Sequence, residues 1–330
     1  MFAGFAHVWT PIAERRNVKQ GATLRVMLAG EPIVLWRDGT GSISAFHDRC
    51  PHRGVALSLG RVLPNGCLEC PFHGWQFDPS GACKKVPLAP EAKRERLSAR
   101  AFPVRELGPY VWIYTAPVLN APSEPNVPEA LLDEAFSISV IEKRWNCHWT
   151  RMMENMLDSP HIPFVHQRSI GRALRKRMKE NSVAEVSFSP TATGAELTFT
   201  LDDGRVKGAR LEFIKPNGVV LHVPSKKRRL RINIHAVPRD EHFSSLYITG
   251  AWDFSRYNPL VRYLITRANH FIVDEDKAIV ESSQPREVPE PAQELSVATD
   301  KCTLQFRRYY YAELKHSSAN VAANEEGMSP

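Results

Sequence analysis

The chain has 330 residues, 43% of them hydrophobic and 24% charged, ordinary globular values that leave ample material for a buried core. No apolar run approaches the roughly 18–20 residues of a membrane span, and the N-terminus lacks the basic lead of a signal peptide, so a soluble, cytoplasmic protein with no membrane partner is expected. The net charge of +7 suits an acidic partner protein or a merely solvated surface, and without aromatic interleaving it gives no support to nucleic-acid binding.

Residues 20–115 read as short strands punctuated by turns. Thr23–Leu28 and residues 33–36 flank Gly30-Glu31-Pro32, Asp38-Gly39-Thr40-Gly41 leads into Ile43–His47, and Asp78-Pro79-Ser80-Gly81 marks another turn. This density of turn residues predicts a small antiparallel β domain, closed by the strand Tyr110–Tyr114. Pro117, Pro122, Pro125 and Pro128 then fall within twelve positions. Proline fixes φ and removes a donor, so the stretch reads as a linker between domains at 1–120 and 121–330. The second part reads α+β. A strand near 136–142 precedes a helix over about 145–157, alternating runs follow at 184–188, 196–201, 210–214, 229–236 and 244–251, and a long helical pattern covers 260–283. The small, polar residues 317–330 read as a frayed tail.

Six cysteines, at 50, 67, 70, 83, 147 and 302, are too few for a disulfide scaffold. Two of them sit beside histidines. Cys50-Pro51-His52-Arg53-Gly54 is followed, 17 residues after His52, by Cys70-Pro71-Phe72-His73-Gly74. Each half supplies one thiolate and one imidazole, the donor set of a Rieske [2Fe–2S] centre, in which two cysteines hold one iron and two histidines the other. Cys67 and Cys70 alone would suggest zinc or a redox dithiol, but no second C-x2-C and no βαβ pattern accompanies them. Cys67, Cys83, Cys147 and Cys302 read as small apolar residues.

A second box spans residues 154–166. Asn155, Asp158 and His161 recur every three residues and are expected along one side of a helical segment. His166 follows five residues after His161, a spacing that rotates its imidazole about 140° away in an unbroken helix. Pro160 and Pro163 are expected to break the helix and let His166 swing back. Two such histidines plus one carboxylate make the facial triad of a non-heme Fe(II) site with open positions for O2. The carboxylate is sought on the long C-terminal helix. Asp274 shares a solvent face with His270 and Lys277, while Asp276 lies in line with Ile272, Ile279 and Val280 on an inward face. Phase alone leaves Glu275 open as well.

The two boxes together resemble the Rieske non-heme iron oxygenases, specifically their catalytic α subunits. They are most similar to the short monooxygenases and demethylases, a group with the dicamba, vanillate and caffeine demethylases and the oxygenases of saxitoxin-like alkaloid biosynthesis. The resemblance implies an N-terminal antiparallel β Rieske domain followed by a helix-grip-like catalytic domain, an antiparallel sheet with helices. It implies Asp276 as the third iron ligand and Asn155 as a neighbour of the iron. It also implies a head-to-tail homotrimer in which Asp158 bridges His161 to His73 of the adjacent subunit. A carboxylate can hydrogen-bond an imidazole on each side and fix both tautomers.

The expected activity is hydroxylation or oxidative demethylation of a small organic substrate with O2. Cis-dihydroxylation of an aromatic ring and simple Rieske electron transfer are the alternatives. The chain has no Gly-rich dinucleotide fingerprint and no second cysteine cluster, so NAD(P)H electrons are expected through a separate reductase, with or without a ferredoxin. Arg172, Arg175, Lys176, Arg177 and Lys179, and the run Lys226-Lys227-Arg228-Arg229, offer docking charge or simply solvated loops. The substrate pocket is expected between the sheet over 184–251 and the ligand-bearing helices, with Trp252 and Met152 as candidate wall residues.

Overall fold

Aspartate-led turns shape the first part of the chain in the computed structural model, which describes residues 2, 4–202, 204–225 and 227–315. Asp38 Oδ1 accepts from the backbone N–H of Thr40 (2.9 Å) and Ser42 (3.0 Å). Asp78 Oδ1 accepts from Ser80 (3.0 Å) and Ala82 (3.1 Å) in the same way. Such Asx turns satisfy backbone donors while reversing the chain, which permits very short strands. Three small sheets result. Trp9–Glu14, Tyr110–Tyr114 and Val104–Leu107 form one, with Tyr110–Tyr114 in the middle rather than at an edge. Thr23–Leu28, Glu31–Arg37, Ile43–His47 and Ala101–Phe102 form the second, and Arg61–Val62, Leu68–Glu69, Gln76–Phe77 and Cys83–Lys85 the third. The core between the second and third contains Val34, Trp36, Phe46, Leu57 and Phe77, packed with Cys50 and Cys70.

The chain separates into two compact units, Met1–Pro125 and Asn126–Pro330. In the second unit one antiparallel sheet runs in the order Ser137–Trp145, Ser244–Trp252, Leu230–Pro238, Gly218–Val223, Arg210–Ile214, Gly194–Leu201, Ala184–Thr191, with Val206–Lys207 paired to Gly194–Leu201. The register aligns Leu211 with Leu221, Leu221 with Ile232, and Ile232 with Gly250. Because side chains alternate along a strand, this row shares one face, next to the row Phe213, Val219, Ile234, Ile248.

Five α-helices accompany the sheet among the described residues: α1 (Trp149–Leu157), α2 (Ile162–Val165), α3 (Arg172–Arg177), α4 (Pro259–Glu281) and α5 (Lys301–Tyr309). Asn258 caps α4 by accepting from Leu260 N–H (2.9 Å), and Pro259 fits the first turn, where its missing donor costs nothing. Gly250 lets α4 lie directly on the sheet: a Cβ there would meet Ile265 Cγ2 at 2.8 Å and Asn269 Nδ2 at 3.0 Å. None of these helices is long and apolar enough to cross a membrane, among the described residues.

Three elements differ from expectation. The helix expected over 145–157 begins at Trp149, because Trp145 is still paired with Ser244 and His148 is extended (φ −70°, ψ 142°). Gly218–Val223, unremarked in the sequence between Pro216 and Pro224, is a full strand. Helix α5 is not among the expected elements, although Cys302, Phe306, Tyr310 and Leu314 recur every four residues and all are buried. Residues 317–330 and Lys226 lie outside the described residues.

Candidate metal centres and an adjoining cavity

Two loops in the first unit are built to one plan. Cys50 N–H donates to Val55 O (2.8 Å) and Gly54 N–H to Cys50 O (2.9 Å). Cys70 N–H donates to Trp75 O (2.8 Å) and Gly74 N–H to Cys70 O (3.0 Å). Gly54 (φ 70°) and Gly74 (φ 68°) both take the left-handed conformation that a side chain disfavours. Each loop therefore buries its cysteine and exposes its histidine. The rings of His52 and His73 lie 4.7 Å apart, and His52 stacks on Trp75 at 4.5 Å with 5° between planes.

Burial, with a smaller contribution from Cys70 beside it, pushes the Cys50 thiol up to about 11. A buried thiol raised in this way sheds its proton readily only to a metal. His52 is held below the ordinary imidazole range by desolvation and by His73 and Arg53, which favours the neutral form that ligates metal. Two inner sulfurs and two outer nitrogens fit the donor set of a Rieske cluster. Cys67 and Cys83 are buried, with Cys67 N–H bound to Asn65 Oδ1 (3.1 Å).

The second box folds differently from its expected single helix. Helix α1 ends at Leu157, and Asp158 is extended (φ −92°, ψ 96°), so Asn155, Asp158 and His161 do not share one helical face. Pro160 has no N–H with which to continue the ladder. His161 then caps a new turn, accepting from both Phe164 and Val165 N–H (2.9 Å each), and Pro163 sits in the first turn of α2 instead of breaking a helix. His166 leaves that turn at φ −93°, ψ 29°. One short turn with a non-helical residue at its end replaces the 140° mismatch.

The result is convergence. His161 Nε2 and His166 Nε2 lie 3.3 Å apart, and Asp276 Oδ1 on α4 is 3.6 Å from the first and 3.2 Å from the second. Donors about 2.1 Å from one ion at right angles would lie about 3.0 Å apart, so the three suit a common metal. His166 and Asp276 are buried, and Asp276 Oδ1 has no hydrogen-bond donor of its own. A buried carboxylate oxygen without a donor is costly unless a cation meets it.

Glu275 does something else. It accepts from His166 Nδ1 (2.9 Å) and from Ser169 Oγ (2.5 Å), which turns His166 Nε2 toward Asp276. Burial pulls the His166 pKa down, but Asp276 and Glu275 outweigh it and raise it above the ordinary value. Asp274 faces solvent and pairs with Lys143 (2.8 Å). Asp158 Oδ2 stands 3.6 Å from His161 Nδ1, within ion-pair range but beyond a hydrogen bond. The roles of Glu275 and Ser169 were missed in the sequence; the paired acids Glu275-Asp276, about 100° apart on a helix, were the available signal.

These three donors open onto a cavity of about 270 Å³ between the sheet and α4. Asn155, Met156 and Asp158 line it from the α1 side, and Leu221, Ile232 and Ile234 from the sheet. Trp252 and Met152, expected as walls, are fully buried in the core instead. Met152 lies one turn before Met156, and it is Met156 that reaches the cavity.

A small β unit with paired Cys/His loops, followed by a sheet-and-helix unit bearing a two-histidine, one-carboxylate cluster, defines a two-centre iron oxygenase architecture. Comparison with known proteins agrees. Residues 8–103 match the Rieske [2Fe-2S] domain, and residues 145–315, more than half the chain, match the vanillate O-demethylase oxygenase C-terminal domain. The chain belongs to the Rieske oxygenase family of that type.

Methylxanthine N3-demethylase NdmB of Pseudomonas putida is 28% identical over 332 residues, covering 92% of this chain and 88% of that protein. The structure of Pseudomonas putida CBB5 NdmA superposes with a TM-score of 0.77 at 26% identity, over 95% of this chain and 92% of the other. Chloroplastic pheophorbide a oxygenase of Oryza sativa subsp. japonica is 35% identical over 181 residues; these are 51% of this chain and only 34% of the rice protein. Members of the family carry a Rieske cluster and a mononuclear iron, use O2 with NAD(P)H electrons delivered through separate reductases and ferredoxins, and bind small substrates.

Proposed function

We propose that the protein is a Rieske monooxygenase that hydroxylates or oxidatively demethylates a small organic substrate in the cytoplasm, where NAD(P)H is at hand. The observation that carries this is the convergence of His161, His166 and Asp276 in the wall of an apolar cavity. Cys50, His52, Cys70 and His73 would hold the [2Fe–2S] cluster, and His161, His166 and Asp276 the mononuclear iron. When bound, that iron supplies reductive activation of O2. Overall, R–H, O2, two electrons and two protons give R–OH and water. Where the oxidised carbon is a methyl on oxygen or nitrogen, the hydroxylated product then breaks its C–O or C–N bond and releases formaldehyde.

The chain's own residues set the conditions. The aliphatic walls exclude water and place the substrate beside the donor cluster. Glu275 holds the Nδ1 proton of His166 and leaves Nε2 free to ligate. Asp158 stands beside His161, and in a head-to-tail homotrimer its carboxylate would take a hydrogen bond from His73 of an adjacent subunit and join the two centres. Exposed Arg172, Arg175, Lys176 and Arg177 on α3, with Lys179, offer an acidic reductase or ferredoxin a docking face. Reversing those charges should raise the carrier's apparent KM and flatten its salt dependence. The direct test is a substrate screen with a surrogate reductase under isotopically labelled O2. One labelled oxygen atom is expected in a hydroxylated product, or in formaldehyde trapped before it exchanges with water; a hydroxylated product without label contradicts the reading.

A further inference from the structure

The lining of the cavity restricts its occupant further, on the footing that it is the substrate site described above. Among the described residues that line it there is no lysine, no arginine, and no phenylalanine, tyrosine or tryptophan. Leu211, Val219, Leu221, Ile232, Ile234 and Ile248 supply the sheet side, and Ile265, Ile272 and Val273 the face of α4. Beyond the three converging donors the one charged wall residue is Asp158, an anion. A carboxylate or phosphate entering here would lose its hydration, meet another anion, and find no side-chain cation. A flat heterocycle would find no ring on which to stack.

Asn155, Ser159 and Asn269 are the uncharged polar residues of the lining; the first two belong to the segment that carries the histidine donors, and Asn269 is the one on α4. Asn269, on α4, is buried, lines the cavity, and its Nδ2 has no hydrogen-bond partner. It lies seven residues before Asp276, two turns along the same helix face and so about 10 Å away. At about 270 Å³ the cavity has room for more than a single ring. An apolar cavity of ~150 Å³ is already enough to admit benzene.

We propose that the site takes a neutral, mainly aliphatic or alicyclic molecule with one hydrogen-bonding oxygen at the end away from the carbon that is oxidised. The Asn269 amide, which packs against Gly250 in the unliganded chain, turns to meet that oxygen, and the rest of the skeleton fills the branched aliphatic walls. Asn269 thereby orients the substrate; it takes no part in the chemistry.

Equilibrium dialysis of the iron-loaded, full-length protein with three probes tests this without turnover. The probes are 4-tert-butylcyclohexanone, the hydrocarbon tert-butylcyclohexane, and 4-tert-butylcyclohexanecarboxylate. The ketone should bind about tenfold tighter than the hydrocarbon and about a hundredfold tighter than the carboxylate. In Asn269→Leu the ketone should fall to the level of the hydrocarbon, whose own affinity stays the same. A ketone that does not bind, or a carboxylate that binds as tightly as the ketone, overturns the proposal. Iron content and labelled-oxygen incorporation are measured separately on the same preparation. Wrong probe selectivity with iron and labelled product present therefore refutes this inference alone, whereas missing iron refutes the oxygenase reading beneath it.

Discussion

The two candidate centres are built by opposite means. The Cys/His loops are local: each is a short turn whose backbone bonds to itself, closed by a left-handed glycine, with its thiol inside and its imidazole at the surface. The His161/His166/Asp276 cluster is assembled from distant segments, is buried, and is held by side chains, with Glu275 and Ser169 orienting His166. Local backbone scaffolding suits a group that must exchange electrons at the surface. Long-range scaffolding suits a group that must meet a substrate away from water.

That contrast can be broken by substitution. The largest effect is expected from His166→Ala, which should remove the mononuclear iron and abolish product while leaving the Rieske visible and EPR spectra intact. Loss of both centres together would mean that they are not independently scaffolded. Asp158→Ala should retain both metals and still stop turnover; wild-type activity in this variant would remove the bridging role.

Glu275→Ala should weaken retention of the mononuclear iron by about 10- to 100-fold in a chelator competition, because the imidazole loses its orienting acceptor. Glu275→Gln, which still accepts from Nδ1, should recover much of that loss. Equal loss in both would point to charge instead of orientation. The raised pKa of His166 carries a sign as well: its proton competes with metal, so iron retention should fall as pH falls.

Acid should also destabilise the second unit independently of metal. Burial lowers His148 to about 4 and His235 to about 3, so both stay neutral in the folded chain. A depressed histidine stabilises above its unfolded pKa near 6.5, and that contribution is lost as pH drops toward the folded value. Each contributes at most about 1.4 kcal/mol per pH unit. A melting temperature unchanged between those limits would contradict this. The smallest effect is expected from Gly74→Ala. It should lower stability of the first unit by about 1 kcal/mol through its positive φ, with a Cβ also approaching Pro87 Cγ at 3.2 Å.

How far the sequence reveals each centre follows from the same contrast. The paired C-x-H and C-x2-H boxes are legible because the loops close on themselves, so spacing and geometry coincide. The strands with alternating patterns between 184 and 252 were legible for a similar reason, since a two-residue period survives whatever packs on it. The fold's α+β order, a β domain followed by a sheet with helices, was legible too. At the second centre residue types pointed to the chemistry, but the local conformation did not follow. The expected helical stack of Asn155, Asp158 and His161 gives way to an extended Asp158, and Pro163 starts a turn instead of ending one. Glu275 could not be told from Asp276 by phase; their difference appears only when His166 is in place to donate to one from Nδ1 and face the other with Nε2. The cavity walls were the least legible. Branched aliphatics look alike in a core and in a binding site, and only the register of the strands shows which ones face the donors.

The most direct measurement is iron and acid-labile sulfide analysis of the purified, reconstituted chain beside its His166→Ala variant. The expected result is about three irons and about two sulfides per chain, falling to about two irons with the sulfide unchanged. Two irons in both proteins would leave a Rieske electron carrier, and three irons in both would move the mononuclear site away from His166.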